Sequence, residues 1–211
     1  MDNFILEIPN FVPPELCNEI VNTVKNDPSK LDTHPLNYYI SGEILTVHGS
    51  RRSLSMVNHK EYTKFIKPMV KIFSDVYDKY LEHLENTFKD YNKDEEHNMN
   101  PYIREIRSYK DCVIDGGFVV HEIKKDKSYK WHHDHEYFKY QDFIQIIVYL
   151  NTLGEGGGGC TEFLGGMKVK PEIGKVVAYP RSWPFIHKGC KVLSETPKYI
   201  CTGSIQVIFK E

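Results

Sequence analysis

The chain has 211 residues, 40% apolar and 27% charged, with a formal net charge of −2. Such a length buries a sizeable core without staples, as one large domain or a domain with a helical appendage. The near-neutral balance gives no general attraction to nucleic acid or membrane, and Lys124, Lys125 and Lys127 sit among acids as a solvated face.

The first predicted element is a strand over 4–8, followed by a turn at Pro9-Asn10. Pro13-Pro14 opens a helix whose apolar face is Leu16, Ile20, Val21 and Val24, and Asn26-Asp27-Pro28 ends it. Segments 37–48 and 51–58 are strand-like, with a break at Gly49-Ser50. The strongest helical pattern covers 60–88. There Phe65, Met69, Ile72, Phe73, Val76, Tyr77, Tyr80 and Leu84 form one stripe that reads as core, and Pro68 sits in the first turns or kinks the helix. The polar run 89–100 reads as a loop.

Beyond residue 100, short apolar runs alternate with Gly, Pro and Asn/Asp breaks: CVIDGGFVVHEI, FIQIIVYLN, CTEFLGG, KVVAYP and YICTGSIQVIF. Many short strands at close spacing predict an antiparallel sandwich or barrel, and helices followed by strands predict an α+β fold. Gly156 to Gly159 lacks the GK[ST] of a phosphate cradle and reads as a tight crossing before a strand.

The five cysteines, Cys17, Cys112, Cys160, Cys190 and Cys201, include no CxxC pair. That argues against a disulfide framework or zinc ribbon and for a reducing, cytoplasmic setting, with Cys160 and Cys201 as small core residues. MDNFILEIPNF lacks the basic n-region and apolar run of a secretory signal, and no stretch approaches ~18 apolar residues.

Residues 131–136 read WHHDHE. Side chains at i and i+2 of a strand share a face, so His132 and Asp134 pair on one side while His133 and His135 offer a rival pair on the other. His187, far downstream after the apolar WPFI, supplies a third donor. Two imidazoles and one carboxylate on one side of an ion leave adjacent positions open, the arrangement of non-heme Fe(II) oxygenases. Farther on, Lys198 opens the strand KYICTGSIQVIF, either as an edge charge or, pointed inward, as the partner of an anionic co-substrate.

In order along the chain, YKWHHD (129–134), IIVYLN (146–151), GGGCTEF (157–163), VKPEIGKVVAYP (169–180), IHKGCKV (186–192) and PKYICTG (197–203) resemble the catalytic core of the Fe(II)/2-oxoglutarate oxygenases, in their prolyl 4-hydroxylase-like branch. IPNFVPPELCNEIV (8–21) resembles that family's opening strand and helix. The resemblance implies a double-stranded β-helix, or jelly roll. It would form a single oxygenase domain over 1–211, with 1–100 giving helical support and early strands and 101–211 the core. It implies Fe(II) on His132, Asp134 and His187, with no catalytic residue beyond these ligands. It implies 2-oxoglutarate chelating the iron, its distal carboxylate on Lys198 with a hydrogen bond from Tyr149; Thr202, four residues along the same strand face, either lines that pocket or is a core β-former. Dioxygen is the second co-substrate and ascorbate a supporting reductant.

The reaction implied is oxidative decarboxylation of 2-oxoglutarate to succinate and carbon dioxide, coupled to hydroxylation, under a mobile cover for which 34–50 and 89–100 are candidates. In peptide-acting relatives an early Arg-x-Ser lies near the substrate groove. Arg51-Arg52-Ser53 stands in a comparable place, making Arg51 and Ser53 candidate substrate contacts, with surface charge as the alternative. Collagen-type relatives carry an arginine at the position of Asp142, so the reversed charge turns the expectation from collagen toward a prolyl residue of another peptide or protein. Rival readings are the same chemistry on a free amino acid or other small molecule, a non-catalytic jelly-roll module, and a zinc hydrolase, which lacks the HExxH pattern.

Overall fold

The structure, a computed structural model, describes residues 2–33, 36–40, 43–47, 51–89, 113–115, 117–134 and 141–207. Strand β1 (Leu6–Ile8) leads through a turn, where Asn10 takes a positive φ of 53°, to helix α1 (Pro14–Asn26). Proline in the first turn costs nothing, because that amide has no intrahelical acceptor. Cys17, Ile20, Val21 and Val24 return every three or four residues and are buried.

Strands β2 (Asp32–Thr33), β3 (Leu36–Ile40), β4 (Glu43–Val47) and β5 (Arg52–Ser55) follow. The expected single strand 37–48 is therefore a hairpin, with Ile40 opposite Glu43. The expected strand 51–58 stops at Ser55, and Met56–Asn58 coils into a 3-10 turn that buries Met56.

Helix α2 (Thr63–Phe88) begins three residues later than its periodicity predicts, after a 3-10 turn at Lys60–Tyr62. Phe65, Met69, Phe73, Val76, Tyr77, Tyr80, Leu81 and Leu84 are buried along it. Pro68 lies inside this helix on its exposed side. Of the two candidate covers, part of 34–50 is the β3–β4 hairpin, whereas 90–100 lies outside the described residues.

The remaining strands are β6 (Val113–Asp115), β7 (Val119–Ile123), β8 (Tyr129–His132), β9 (Gln141–Tyr149), β10 (Thr161–Phe163), β11 (Lys168–Val169), β12 (Val176–Pro180), β13 (His187–Gly189) and β14 (Lys198–Val207). They pair antiparallel in two main sheets. The larger runs β1-β12-β9-β14-β7-β5-β2, with β6 also on β14, and the smaller runs β11-β10-β13-β8. This is the α+β double-stranded β-helix, with the helices on one side.

Strand alternation divides the larger sheet between two cores. Leu54, Val120, Ile146, Val148 and Cys201 pack with Ile20, Val24, Phe73 and Tyr77 of the helices. Their strand neighbours Ile123, Ile147, Tyr149, Tyr179 and Ile200 face the other way and share a core with Phe163, Val169 and Val192. The space between the sheets is where the conspicuous polar residues meet.

The glycine run turns as expected before β10. Gly156, Gly158 and Gly159 have positive φ, and a Cβ on Gly158 would strike the Lys191 carbonyl.

The cysteine reading needs correction. Cys160 is half-buried and forms a disulfide with Cys190, with Cα atoms 5.1 Å apart. Antiparallel pairing of β10 with β13 brings the two together, and Cys190 N–H donates to the Cys160 carbonyl at 2.7 Å. Cys201 is a small buried core residue, as expected. Reducing the disulfide frees a loop of 30 residues and is expected to cost about 2–4 kcal/mol of stability. Thermal unfolding with and without dithiothreitol measures it. The Cys160→Ser protein should melt at the lower temperature under both conditions.

Candidate metal and co-substrate site

His132 closes β8 and His187 opens β13, and the two are register partners across the smaller sheet, with ring centroids 4.2 Å apart. Asp134 lies two residues past the end of β8. Its Oδ1 is 3.5 Å from His132 Nε2, and its Oδ2 is 3.6 Å from His187 Nε2. One donor atom from each of the three side chains falls within 4.8 Å of the others. His133 is not part of this group, and His135 lies outside the described residues.

The imidazoles are prepared for a metal. His132 Nδ1 lies 2.9 Å from the Lys130 carbonyl, and His187 Nδ1 lies 3.1 Å from the Phe185 carbonyl. A carbonyl only accepts, so each Nδ1 carries a proton and each Nε2 is the nitrogen turned toward Asp134. Burial pushes His187 down to about 4, against the pull of Asp134, which keeps it neutral near pH 7. Partial burial opposes ionisation of Asp134, but His187, His132 and Tyr179 outweigh it and hold the carboxyl well below the usual range. Two imidazole Nε2 atoms and a carboxylate facing one point fit a divalent cation.

Two residues that sequence reasoning missed secure the carboxylate. Tyr179 Oη donates to Asp134 Oδ2 at 2.7 Å and lies 3.2 Å from His187 Nε2. Arg181 Nε donates to the Asp134 carbonyl at 2.6 Å, and its Nη1 donates to Ser204 Oγ at 2.9 Å. Tyr179 is buried, and burial followed by the nearby Asp134 charge raises its phenol well above the ordinary value, so it stays a proton donor.

Lys198 is 3% exposed at the start of β14, on the inward face. Its Nζ sits 5.2 Å from the centroid of the Tyr149 ring. It has no carboxylate partner among the described residues; burial, then the Arg51 charge, lowers it to about 7. A buried ammonium without a counter-ion is costly, so this position suits an anionic ligand. Tyr149 is fully buried and donates to Thr161 Oγ1 at 2.7 Å. Thr161, also missed, therefore keeps its own hydroxyl proton for another acceptor.

Thr202 shares the inward face with Lys198, but its Oγ1 is 2.8 Å from His121 Nε2. His121 Nδ1 is in turn 2.7 Å from Ser53 Oγ, and both residues are buried. Ser53, a candidate substrate contact, is thus engaged with His121. Arg51 is not loose surface charge: its guanidinium lies 3.8 Å from the centroid of the Tyr129 ring, which packs edge-on against His132 at 4.5 Å.

Residues 118–206 match the family model of the 2OG-Fe(II) oxygenase superfamily. The matched span covers β7 through most of β14 and the three-donor cluster, and the fold is prolyl 4-hydroxylase-like. The superfamily of that model implies Fe(II), 2-oxoglutarate and dioxygen. Among solved structures, the 2-oxoglutarate complex of the viral collagen prolyl hydroxylase from Paramecium Bursaria Chlorella virus-1 is similar at TM-score 0.53 and 16% identity, covering 98% of this chain and 97% of that one. A prolyl hydroxylase from Trichoplax adhaerens, in complex with a hypoxia inducible factor peptide fragment, superposes at TM-score 0.64 with 12% identity over 96% of this chain and 83% of that one. A prolyl-4-hydroxylase from Pseudomonas putida gives 0.58 and 10%, covering 98% and 94%. No curated protein matches the chain by sequence. No helix among the described residues is long and apolar enough to cross a membrane.

Proposed function

We propose that this chain is a 2-oxoglutarate-dependent dioxygenase that hydroxylates a prolyl residue in a peptide or protein, releasing succinate and carbon dioxide, with Fe(II) on His132, Asp134 and His187. The observation that carries the reading is the joint presence, on the inner face of one jelly roll, of a three-donor cluster and a buried Lys198 with no carboxylate partner among the described residues. The bound iron supplies the activation of dioxygen. The chain's own part is to bind, orient and exclude water. His132 and His187 offer Nε2 because backbone carbonyls hold their Nδ1 protons. Lys198 neutralises the distal carboxylate of 2-oxoglutarate in a site lined by Tyr149 and Ile200, where low polarity strengthens the pairing.

The Tyr149–Thr161 pair gives that carboxylate a hydroxyl donor, through either the Tyr149 phenol or the Thr161 hydroxyl. Thr202 borders the pocket but is shared with His121. Arg51, stacked beside the cluster, faces the substrate side, with Ser53 behind it on His121. The peptide assignment draws support from similar structures whose names specify a collagen prolyl hydroxylase and a hypoxia inducible factor peptide complex.

The test is succinate release by the Fe(II) protein with 2-oxoglutarate and ascorbate, screened over proline-containing peptides and free amino acids, with product masses. A gain of one oxygen on a peptidyl proline supports the assignment. Turnover confined to free amino acids replaces it with the small-molecule reading, and turnover independent of 2-oxoglutarate removes it. Omitting ascorbate should shorten the time course without changing the product.

A further inference from the structure

We propose that Tyr179 and Arg181 are positioning residues of the metal centre, clamping Asp134 from the opposite sheet. This rests on the metal assignment made above.

The need for a clamp follows from the strand ends. His132 and His187 are fixed by each other as register partners, and each ring is aimed by its own backbone carbonyl. Asp134 has neither support. β8 ends at His132, and no strand pairing reaches residue 134. A carboxylate on irregular backbone loses rotamer and backbone freedom when it ligates, and that ordering cost weakens the metal unless another group has met it beforehand.

β12 and the residue just past its end supply that group twice. Tyr179 fixes the carboxylate and Arg181 fixes the backbone carbonyl of the same residue, while Ser204 on β14 holds the far end of the guanidinium. Alternation places Tyr179 on the inward face with Val177, and β12 lies beside β9 within the larger sheet, so its position is rigid.

The contacts also divide the labour of the two carboxylate oxygens. The phenol has one proton, and it goes to Oδ2, the nearer and charged acceptor; the His187 Nε2 lone pair is left for the ion. Oδ1, facing His132 Nε2, receives no hydroxyl proton among the described residues and is the oxygen that Asp134 offers. The clamp thus favours ligation through one oxygen, keeping positions open for co-substrates.

The test uses Co(II) as the probe, without 2-oxoglutarate. Tyr179→Phe keeps the ring and removes only the hydroxyl. It is expected to weaken Co(II) binding by about 10- to 100-fold, the usual effect of removing a group that orients a ligand, and to shift the d–d absorption bands of the saturated protein. Tyr80→Phe is the control. Tyr80 donates to the Phe4 carbonyl at 2.9 Å, away from the cluster, so its loss should lower the melting temperature and leave Co(II) affinity and bands unchanged. If Tyr179→Phe does not fold, Arg181→Met reads the same clamp through the carbonyl and is also expected to weaken Co(II). A Tyr179→Phe protein that binds Co(II) within twofold of the parent, with the same bands, overturns the clamp alone. A parent that binds no Co(II) overturns the metal assignment beneath it.

Discussion

The His187→Ala protein is expected to bind no Fe(II) at micromolar concentrations and to release no succinate. It should also lack the visible charge-transfer band that anaerobic Fe(II) and 2-oxoglutarate give the parent. Removing one of three protein donors leaves a carboxylate and a single imidazole, too few to hold a labile divalent ion in an open site. His187 is 4% exposed and packs on Phe163 and Tyr179 at ring distances of 5.5 and 5.1 Å, so its truncation also leaves a cavity. His132→Ala separates the two effects. His132 is partly exposed, its replacement spares the core, and the same loss of iron there identifies ligation as the cause. His133→Ala should retain iron and band, because His133 lies outside the three-donor group. Loss of iron on His133→Ala, with retention on His132→Ala, would transfer the site to the other strand face.

Much of this was legible because its signals are local. The apolar period of α1 and α2 follows from the helix repeat, and the buried residues fall on the predicted stripes except that Leu16 and Ile72 are half-buried, while Cys17 and Leu81, which the stripes omitted, are buried. The spacing of His132 and Asp134 suggested a shared strand face, but Asp134 lies past the strand and reaches the cluster because β12 holds it. That dependence is not local. Nothing in KVVAYP states that Tyr179 meets a residue 45 positions away; alternation gives only its inward face. The Cys160–Cys190 bond is similar, created by β10–β13 pairing rather than by a spacing motif. Arg51 and Ser53 were expected as substrate contacts, but a pair of arginines in sequence does not reveal that Arg51 stacks on Tyr129 while Arg52 turns to Glu122. The hydroxyl of Ser53 belongs to His121, a residue with no motif of its own.

Lys198→Met separates folding from binding more sharply than any other change, because its two effects have opposite signs. In the free protein the buried amine titrates near 7, whereas in the unfolded chain it has its ordinary value of 10.5. The unfolded state holds the proton more tightly between these values, so the free protein gains stability as pH rises from about 7 to about 10.5. Below pH 7 it bears the full cost of charging an unpaired buried group. Methionine removes that cost, and Lys198→Met should melt at a higher temperature than the parent at pH 6, with the difference shrinking toward pH 10. Binding reverses the preference. The distal carboxylate of 2-oxoglutarate requires the ammonium, so above pH 7 the parent must take up a proton to bind. Its affinity for 2-oxoglutarate should fall toward tenfold per pH unit there and be flat below. Lys198→Met loses the charge pair altogether, with affinity about 100-fold or more weaker and no pH dependence from this group, while Fe(II) affinity changes little. Titration of 2-oxoglutarate into the anaerobic Fe(II) protein from pH 6 to 9 measures both. A variant that binds 2-oxoglutarate as tightly as the parent at pH 6 would move the anion site away from Lys198, and Arg51 would be the next cation to test.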